Sequence, residues 1–107
     1  MTVIEEVIET FSSTNIGAEF STSEIKKMVH NKFGRTKESI IPTDFCYNRV
    51  NNGINFSNHP KIFEYISRGN FRYLGMNYPY SGKVYHQPKN ESEICIGEFI
   101  NGNFQEF

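Results

Sequence analysis

The chain has 107 residues, an aromatic share of 15% and a formal net charge of −1 at pH 7. This length suits one domain with a single hydrophobic core, and the ten Phe and six Tyr exclude simple disorder. No apolar run approaches the roughly 18 residues that a membrane-spanning helix requires, and the N-terminus carries acids where a signal peptide carries bases, so we expect a soluble cytoplasmic protein.

Charge is distributed unevenly along the chain. Residues 1–25 hold five acids and no base, and residues 90–107 hold four acids and no base. Residues 26–89 hold all eleven Lys and Arg against three acids, which is a local charge of +8. A basic middle between acidic ends favours an anionic partner for one face. The alternative is that the acidic and basic segments pair with each other in the folded protein.

Two amphipathic helices are predicted in the N-terminal third. Apolar residues recur at helical spacing from Val3 to Phe11, and Ser12-Ser13 ends the pattern. Ser21 followed by Glu24 is a capping-box pattern, and it opens a second helix that ends at Gly34.

The segment SIIPTDFCYNRVNNGI, residues 39–54, predicts a third helix. Pro42 suits the first helical position, Asp44 complements the helix dipole and Gly53 ends the helix. One face is expected to point inward, and it consists of Ile41, Phe45, Cys46 and Val50.

The pattern then changes to short β-rich runs. IFEYI and FRYLG are separated by the turn residues Ser67-Arg68-Gly69-Asn70, which predicts a hairpin from Ile62 to Leu74. Three helices followed by an Arg-tipped hairpin predict an α+β winged helix-turn-helix domain over residues 1–89. Residues 90–107 are expected to form an acidic C-terminal extension, packed on the domain as a strand or hairpin with a turn at Asn101-Gly102.

Three stretches together resemble a known kind of module. IIPTDFCYNRVNNGI, IFEYISRGNFRYLG and NYPYSGKVYHQPK are similar to a small winged-helix domain of uncharacterised proteins of low-GC Gram-positive bacteria and their phages. The resemblance covers residues 3–89. It implies a winged helix-turn-helix fold, and it implies no particular activity.

The sequence offers little support for catalysis. The three histidines are scattered, and Cys46 and Cys95 lack a C-x-x-C partner, so we expect reduced thiols and no metal. There is no Gly-rich phosphate loop. We therefore expect a protein that is not an enzyme and that has no cofactor.

Binding of double-stranded DNA is the function that the pattern favours, as a regulator or accessory factor of a phage or mobile element. Polar residues of the third helix would face base edges, and basic residues around it would contact phosphates or grooves. The candidates are Thr43, Tyr47, Asn48, Arg49, Asn51, Lys37, Lys61, Arg68 and Arg72. Structural roles are the alternative for several of them: Tyr47 in packing, Asn51 at a helix end, and Arg49 in an ion pair with Glu38 or Asp44.

A protein-binding inhibitor of a host defence nuclease, similar in action to an anti-CRISPR protein, is the alternative function. Its acidic surface would block the nucleic-acid site of that enzyme, with Phe104 and Phe107 as anchors. The acidic candidates are Glu5, Glu6, Glu9, Glu91, Glu93, Glu98 and Glu106. Dimerisation is left open for the DNA-binding function: one short reading helix usually needs a second copy, and the apolar alternation of the tail could supply the interface of a homodimer.

Overall fold

The computed structural model describes residues 1–88 and 90–107. Lys89, the last residue of the predicted winged-helix domain and of the basic middle segment, lies outside the described residues. Within the described ranges the chain forms α1 (Val3–Phe11), β1 (Glu19–Ser21), α2 (Thr22–Phe33), β2 (Arg49–Val50), β3 (Phe63–Ser67), β4 (Asn70–Tyr73), β5 (Gly82–His86), β6 (Ile94–Ile100) and β7 (Asn103–Glu106). Among these elements, no helix has the length and apolar character needed to cross a bilayer.

Both predicted N-terminal helices are present, and each begins with a capping box. At α2, Glu24 N donates to Ser21 Oγ at 3.1 Å while Ser21 N donates to the Glu24 carboxylate at 2.8 Å. Thr2 and Glu5 form the same reciprocal pair at α1. These bonds satisfy backbone donors that have no partner within the first turn of a helix. Gly34 ends α2 with a left-handed φ of 72°.

The N-terminal sheet is antiparallel, in the order β1-β4-β3. Its β3–β4 pair is the hairpin that the sequence predicted, with Arg68 and Gly69 in the turn. Thr22 N donates to Gly69 O at 3.0 Å, so the hairpin turn lies against the first turn of α2.

The predicted third helix is wrong, and with it the winged helix-turn-helix fold. Pro42–Phe45 forms only a 3₁₀ turn, and Cys46 is already extended at φ −96° and ψ 143°. Arg49 and Val50 then form β2, which pairs parallel to β5. The segment pairs with distant strands because its β-branched and aromatic residues suit a pleated, buried surface. The described part of the chain thus has two α-helices and two sheets, of three and four strands, where three helices and one hairpin were predicted.

Residues 46–50 join the N-terminal sheet to the C-terminal sheet, whose order is β2-β5-β6-β7. On one side, Tyr47 N donates to Phe63 O of β3 at 2.8 Å. On the other side, Tyr85 N of β5 donates to Asn48 O at 3.1 Å. We call residues 46–50 the seam, because the same short segment is hydrogen-bonded to a strand of each sheet.

Two groups of buried side chains fill the interior. The first lies between the helices and the N-terminal sheet, and it contains Val7, Phe11, Ile25, Val29, Ile40, Phe45, Cys46, Ile62, Phe63, Phe71 and Tyr73. The second lies against the C-terminal sheet, and it contains Tyr47, Leu74, Tyr80, Val84 and Phe99. Phe45 and Cys46 are buried as predicted, whereas Ile41, which was expected inside, is 45% exposed because it precedes a 3₁₀ turn instead of lying in a helix.

Candidate functional site

Two of the predicted base-reading residues have structural roles. Tyr47 is 5% exposed, and its hydroxyl donates to Gly75 O at 2.6 Å and accepts from Tyr78 N at 3.1 Å. Burial raises the pKa of this hydroxyl. Asn48 uses its side-chain amide on the backbone of Tyr65, donating to O at 2.9 Å and accepting from N at 2.8 Å. Neither side chain is placed to meet a base edge, because each already satisfies backbone groups.

Thr43, Arg49 and Asn51 lie close together, at a half-buried site. Asn51 Nδ2 donates to Thr43 Oγ1 at 2.7 Å and to Asp44 Oδ1 at 2.6 Å. The guanidinium of Arg49 lies 4.1 Å from the ring centre of Tyr65 and pairs with Glu93. The partner of Arg49 is therefore an acid of the tail, and not Glu38 or Asp44.

Two further residues that were predicted to contact phosphates instead bind groups of the protein itself. Arg72 pairs with Glu64 at 2.7 Å and with Glu19 at 3.4 Å. Lys61 Nζ donates to the backbone oxygens of Phe56 and His59. Desolvation lowers the pKa of Lys61.

Lys37 and Arg68 are exposed, as a phosphate contact requires. Within the described ranges, no carboxylate lies within 4.0 Å of either cation or of Lys26. Lys37 belongs to a 3₁₀ turn that packs on α2, and Lys26 lies on α2 itself. These cations therefore have no counter-ion among the described residues and can pair with an external anion.

Lys26 and Arg68 lie on a groove of about 250 Å³ between α2, the hairpin turn and the segment that follows the 3₁₀ turn of Lys37. We call it the basic groove. Its lining contains two cations and no acid, and it consists of Thr22, Lys26, Ile40, Ile41, Pro42, Thr43, Tyr65, Arg68, Gly69 and Phe71. The floor is apolar and aromatic, so a partner here meets positive charge at the rim and carbon surface below.

A polar recess of about 230 Å³ adjoins the basic groove, since Thr43 and Tyr65 line both. Arg49, Asn51 and Asn52 also line this recess. The Nε of Arg49 is buried and, in residues 1–88 and 90–107, has no hydrogen-bond partner. Buried donors usually have a partner, so this nitrogen is an unsatisfied donor beside the recess.

Several acids of the alternative function have roles within the fold. Glu6 is buried and receives two hydrogen bonds from Arg35, at 2.8 and 2.9 Å. Glu5 caps α1, and Glu93 pairs with Arg49. Glu98 of β6 is paired in the strand register with Lys83 of β5 on one side and with Gln105 of β7 on the other. Of the seven candidate acids, Glu9, Glu91 and Glu106 are the exposed ones that have no such contact among the described residues.

The proposed anchors differ in exposure. Phe104 packs against the second core, whereas Phe107 is 70% exposed. The structure provides no metal centre among its described residues, because no three of their His, Cys, Asp and Glu side chains are grouped to hold an ion. Burial raises the pKa of the Cys46 thiol, which suits a packing role.

Sequence reasoning missed two residues of the basic groove. Lys26 was not among the candidate residues, and Tyr65 was treated only as part of a β-rich run. Lys26 lies four residues after Thr22, so both side chains are on the helix face that is next to the hairpin turn. This spacing is the feature of the sequence that could have identified Lys26. Tyr65 could not be found this way, because its neighbours in the groove come from segments distant in sequence.

The comparisons with known proteins identify a family and no activity. A family model described as "Domain of unknown function (DUF7225)" matches residues 2–106. "Uncharacterized protein YnaC" of Bacillus subtilis (strain 168) is 39% identical over 103 residues, which are 95% of this chain and 38% of that protein. The chain thus spans well under half of the length of this relative. No solved structure matches.

These findings correct the family resemblance in one respect, since they show no winged-helix family. The family match runs through both sheets and includes the tail, because it extends to residue 106. The chain therefore belongs to the DUF7225 family.

Proposed function

We propose that this protein is a DNA-binding module, with no catalytic role, that contacts DNA through the basic groove. The supporting observation is that Lys26 and Arg68 share a groove whose lining contains no carboxylate. Arg49 and Arg72 are already paired with carboxylates, and Lys61 is bound to backbone oxygens. Unpaired Lys and Arg side chains around a groove are the usual contacts to phosphate oxygens.

This mode of binding differs from that of a winged helix. Tyr47 and Asn48 are bonded to backbone groups, and Asn51 is bonded to Thr43, so a helix that reads base edges is not part of the proposal. Phosphate contacts would come from Lys26 and Arg68, with Lys27 and Lys37 nearby on α2 and on the turn packed against it. The apolar floor and Tyr65 would contact sugars or unpaired bases.

The inhibitor hypothesis has weaker support from the geometry. Glu5 caps α1, and Glu6 and Glu93 form ion pairs. Three of the acids that were expected to imitate nucleic acid therefore have structural roles. DNA binding is therefore the function that the described contacts favour.

The decisive experiment is a salt titration of binding to labelled duplex and single-stranded oligonucleotides, followed by fluorescence anisotropy. With two to four phosphate contacts, the logarithm of the binding constant should fall with the logarithm of salt concentration with a slope of about −2 to −4. The double variant Lys26→Ala, Arg68→Ala should bind more weakly at low salt and lose about two units of this slope.

A matched control removes the same charge elsewhere. Lys32 and Lys83 do not line the basic groove, so Lys32→Ala with Lys83→Ala should keep the wild-type slope. The proposal fails if neither oligonucleotide shows salt-sensitive binding at low ionic strength, or if both double variants lose affinity equally.

A further inference from the structure

A larger cavity lies away from the basic groove, beside the second core. It has a volume of about 510 Å³ and shares no lining residue with the groove. Its wall is aromatic, with Tyr47, Phe56, Tyr78, Phe99 and Phe104 among the lining residues. This volume and this aromatic wall are typical of sites for small organic molecules. We call it the aromatic cavity.

The rings of this wall hold each other in place. The ring centres of Phe56 and Phe104 are 5.2 Å apart, and those of Phe99 and Phe104 are 5.3 Å apart. Tyr47 adds an edge contact to Phe99 at 5.7 Å. Such arrangements leave ring faces and edges in fixed positions, which is how an aromatic pocket selects a flat ligand.

Lys61 supplies a charge at this wall. Its ammonium group lies 4.1 Å from the ring centre of Phe56 and donates to the backbone oxygens of Phe56 and His59. An ammonium group has three donors, so one donor is left for a ligand. In the part of the chain that the structure describes, no carboxylate lies within 4.0 Å of it.

A half-buried cation without a counter-ion is costly, and an incoming anion would offset that cost. The lowered pKa of Lys61 has the same origin, since burial disfavours its charged form. Further polar groups on the lining come from Ser57, His59 and Asn77. Asn77 is held at a left-handed φ of 59°, so the rim has a defined backbone shape.

We propose that the aromatic cavity binds a small, flat aromatic ligand that carries one anionic group, with the ring against the Phe wall and the anion on the ammonium group of Lys61. Aromatic carboxylates and nucleoside monophosphates both have this chemistry. The site is independent of the DNA-binding proposal, because the two use different residues.

The experiment uses 2-naphthoate as the probe. The chain has no Trp, so the fluorescence of the probe can be followed without an indole background. We expect saturable binding by the wild-type protein and weaker binding of neutral 2-naphthylmethanol and of non-aromatic cyclohexanecarboxylate. Lys61→Met, which keeps the aliphatic stem, should weaken naphthoate binding by about tenfold or more, as expected for loss of a hydrogen bond to a charged group. Adenosine monophosphate as a competitor separates the two sources, because displacement of naphthoate indicates a nucleotide site and its absence an aromatic-acid site.

Two further controls keep the test decisive if Lys61→Met disturbs the loop that contains Lys61. Ser57 is exposed on the rim, so Ser57→Asp should repel naphthoate while the near-isosteric Ser57→Asn should not. Lys83→Met removes a cation outside the cavity and should leave binding unchanged. The proposal is overturned if naphthoate shows no saturable binding up to about 10 mM, if the neutral probe binds equally well, or if Ser57→Asp and Ser57→Asn behave alike.

Discussion

At the scale of single residues, the polar side chains of the seam complete the backbone hydrogen bonding of the sheets. Asn48 is the clearest case, because its side-chain amide bonds both the N–H and the carbonyl of Tyr65. A side-chain amide has one donor group and one acceptor group, so it can pair with a strand residue as a neighbouring peptide would. Asn48, which was predicted from the sequence to read a base, therefore pairs with Tyr65 in the way that a residue of a neighbouring strand would.

Replacing this amide should destabilise the protein. Asn48→Ala leaves the N–H and carbonyl of Tyr65 without their partners, so we expect the free energy of unfolding to fall by about 1–3 kcal/mol. Urea denaturation at unchanged m-value is the measurement. Asn58 is exposed, and Asn58→Ala should change stability by no more than about 0.5 kcal/mol. Equal effects of the two substitutions would contradict the role assigned to Asn48.

At the scale of elements, the two α-helices were predictable because their signals are local. The capping box at Ser21 and the stop at Gly34 lie within the helix that they bound, and α2 begins and ends there. The hairpin turn at Arg68 and Gly69 is equally local. Pro42 and Asp44, just before the seam, are helix-start signals. Pairing of the seam with β3 and β5 outweighs them, and these distant strands cannot be inferred from the local sequence.

The candidate site was less predictable than the two α-helices and the hairpin. Exposure of Lys37 and Arg68 follows from their positions in turns, whereas burial of Tyr47 depends on Tyr80 and Phe99, with which it packs. The aromatic cavity brings together residues 47, 56–61, 76–78 and 99–104, so no single stretch carried its pattern.

The ion pair between Glu6 of α1 and Arg35 after α2 predicts a pH effect. Hydrogen bonds from Arg35 lower the pKa of Glu6. A carboxyl whose pKa is lower in the folded protein adds stability above its unfolded pKa, and this stability is lost as pH falls through the folded pKa. We therefore expect Glu6→Gln to be less stable than the wild type at neutral pH, and the difference to shrink as the solution is acidified.

Urea midpoints measured from neutral pH to about pH 3 test this expectation. Glu9→Gln is the control, because Glu9 is exposed on the same helix. A difference between the wild type and Glu6→Gln that stays constant over this range would show that the pair does not act through ionisation of Glu6.

At the scale of the whole molecule, the two cores should unfold together. The seam carries Cys46 in the first core and Tyr47 in the second, so neighbouring residues belong to different cores. The tail is part of the second core, since β6 contributes Phe99. Loss of either sheet would leave the seam without half of its hydrogen bonds.

Gly97→Ala tests this coupling. A Cβ at Gly97 would lie 2.8 Å from the ring of Phe104 and would also clash with the backbone oxygen of Gln105, so we expect a loss of about 1–3 kcal/mol. Native-state amide exchange should show reduced protection in β4 as well as in β5. Gln105→Ala, at an exposed position of β7, should leave both unchanged. Loss of protection confined to the C-terminal sheet would show that the two cores unfold separately.

The seam also has a consequence for the order of events during synthesis. The side chains of the first core lie between Val7 and Tyr73, so that core can close as soon as this stretch has left the ribosome. Tyr47 is made early but must wait for Phe99 to cover it. Between those two moments the first core is without the C-terminal sheet that stabilises it, and the ring of Tyr47 is uncovered, so we expect this interval to favour aggregation or capture by a chaperone.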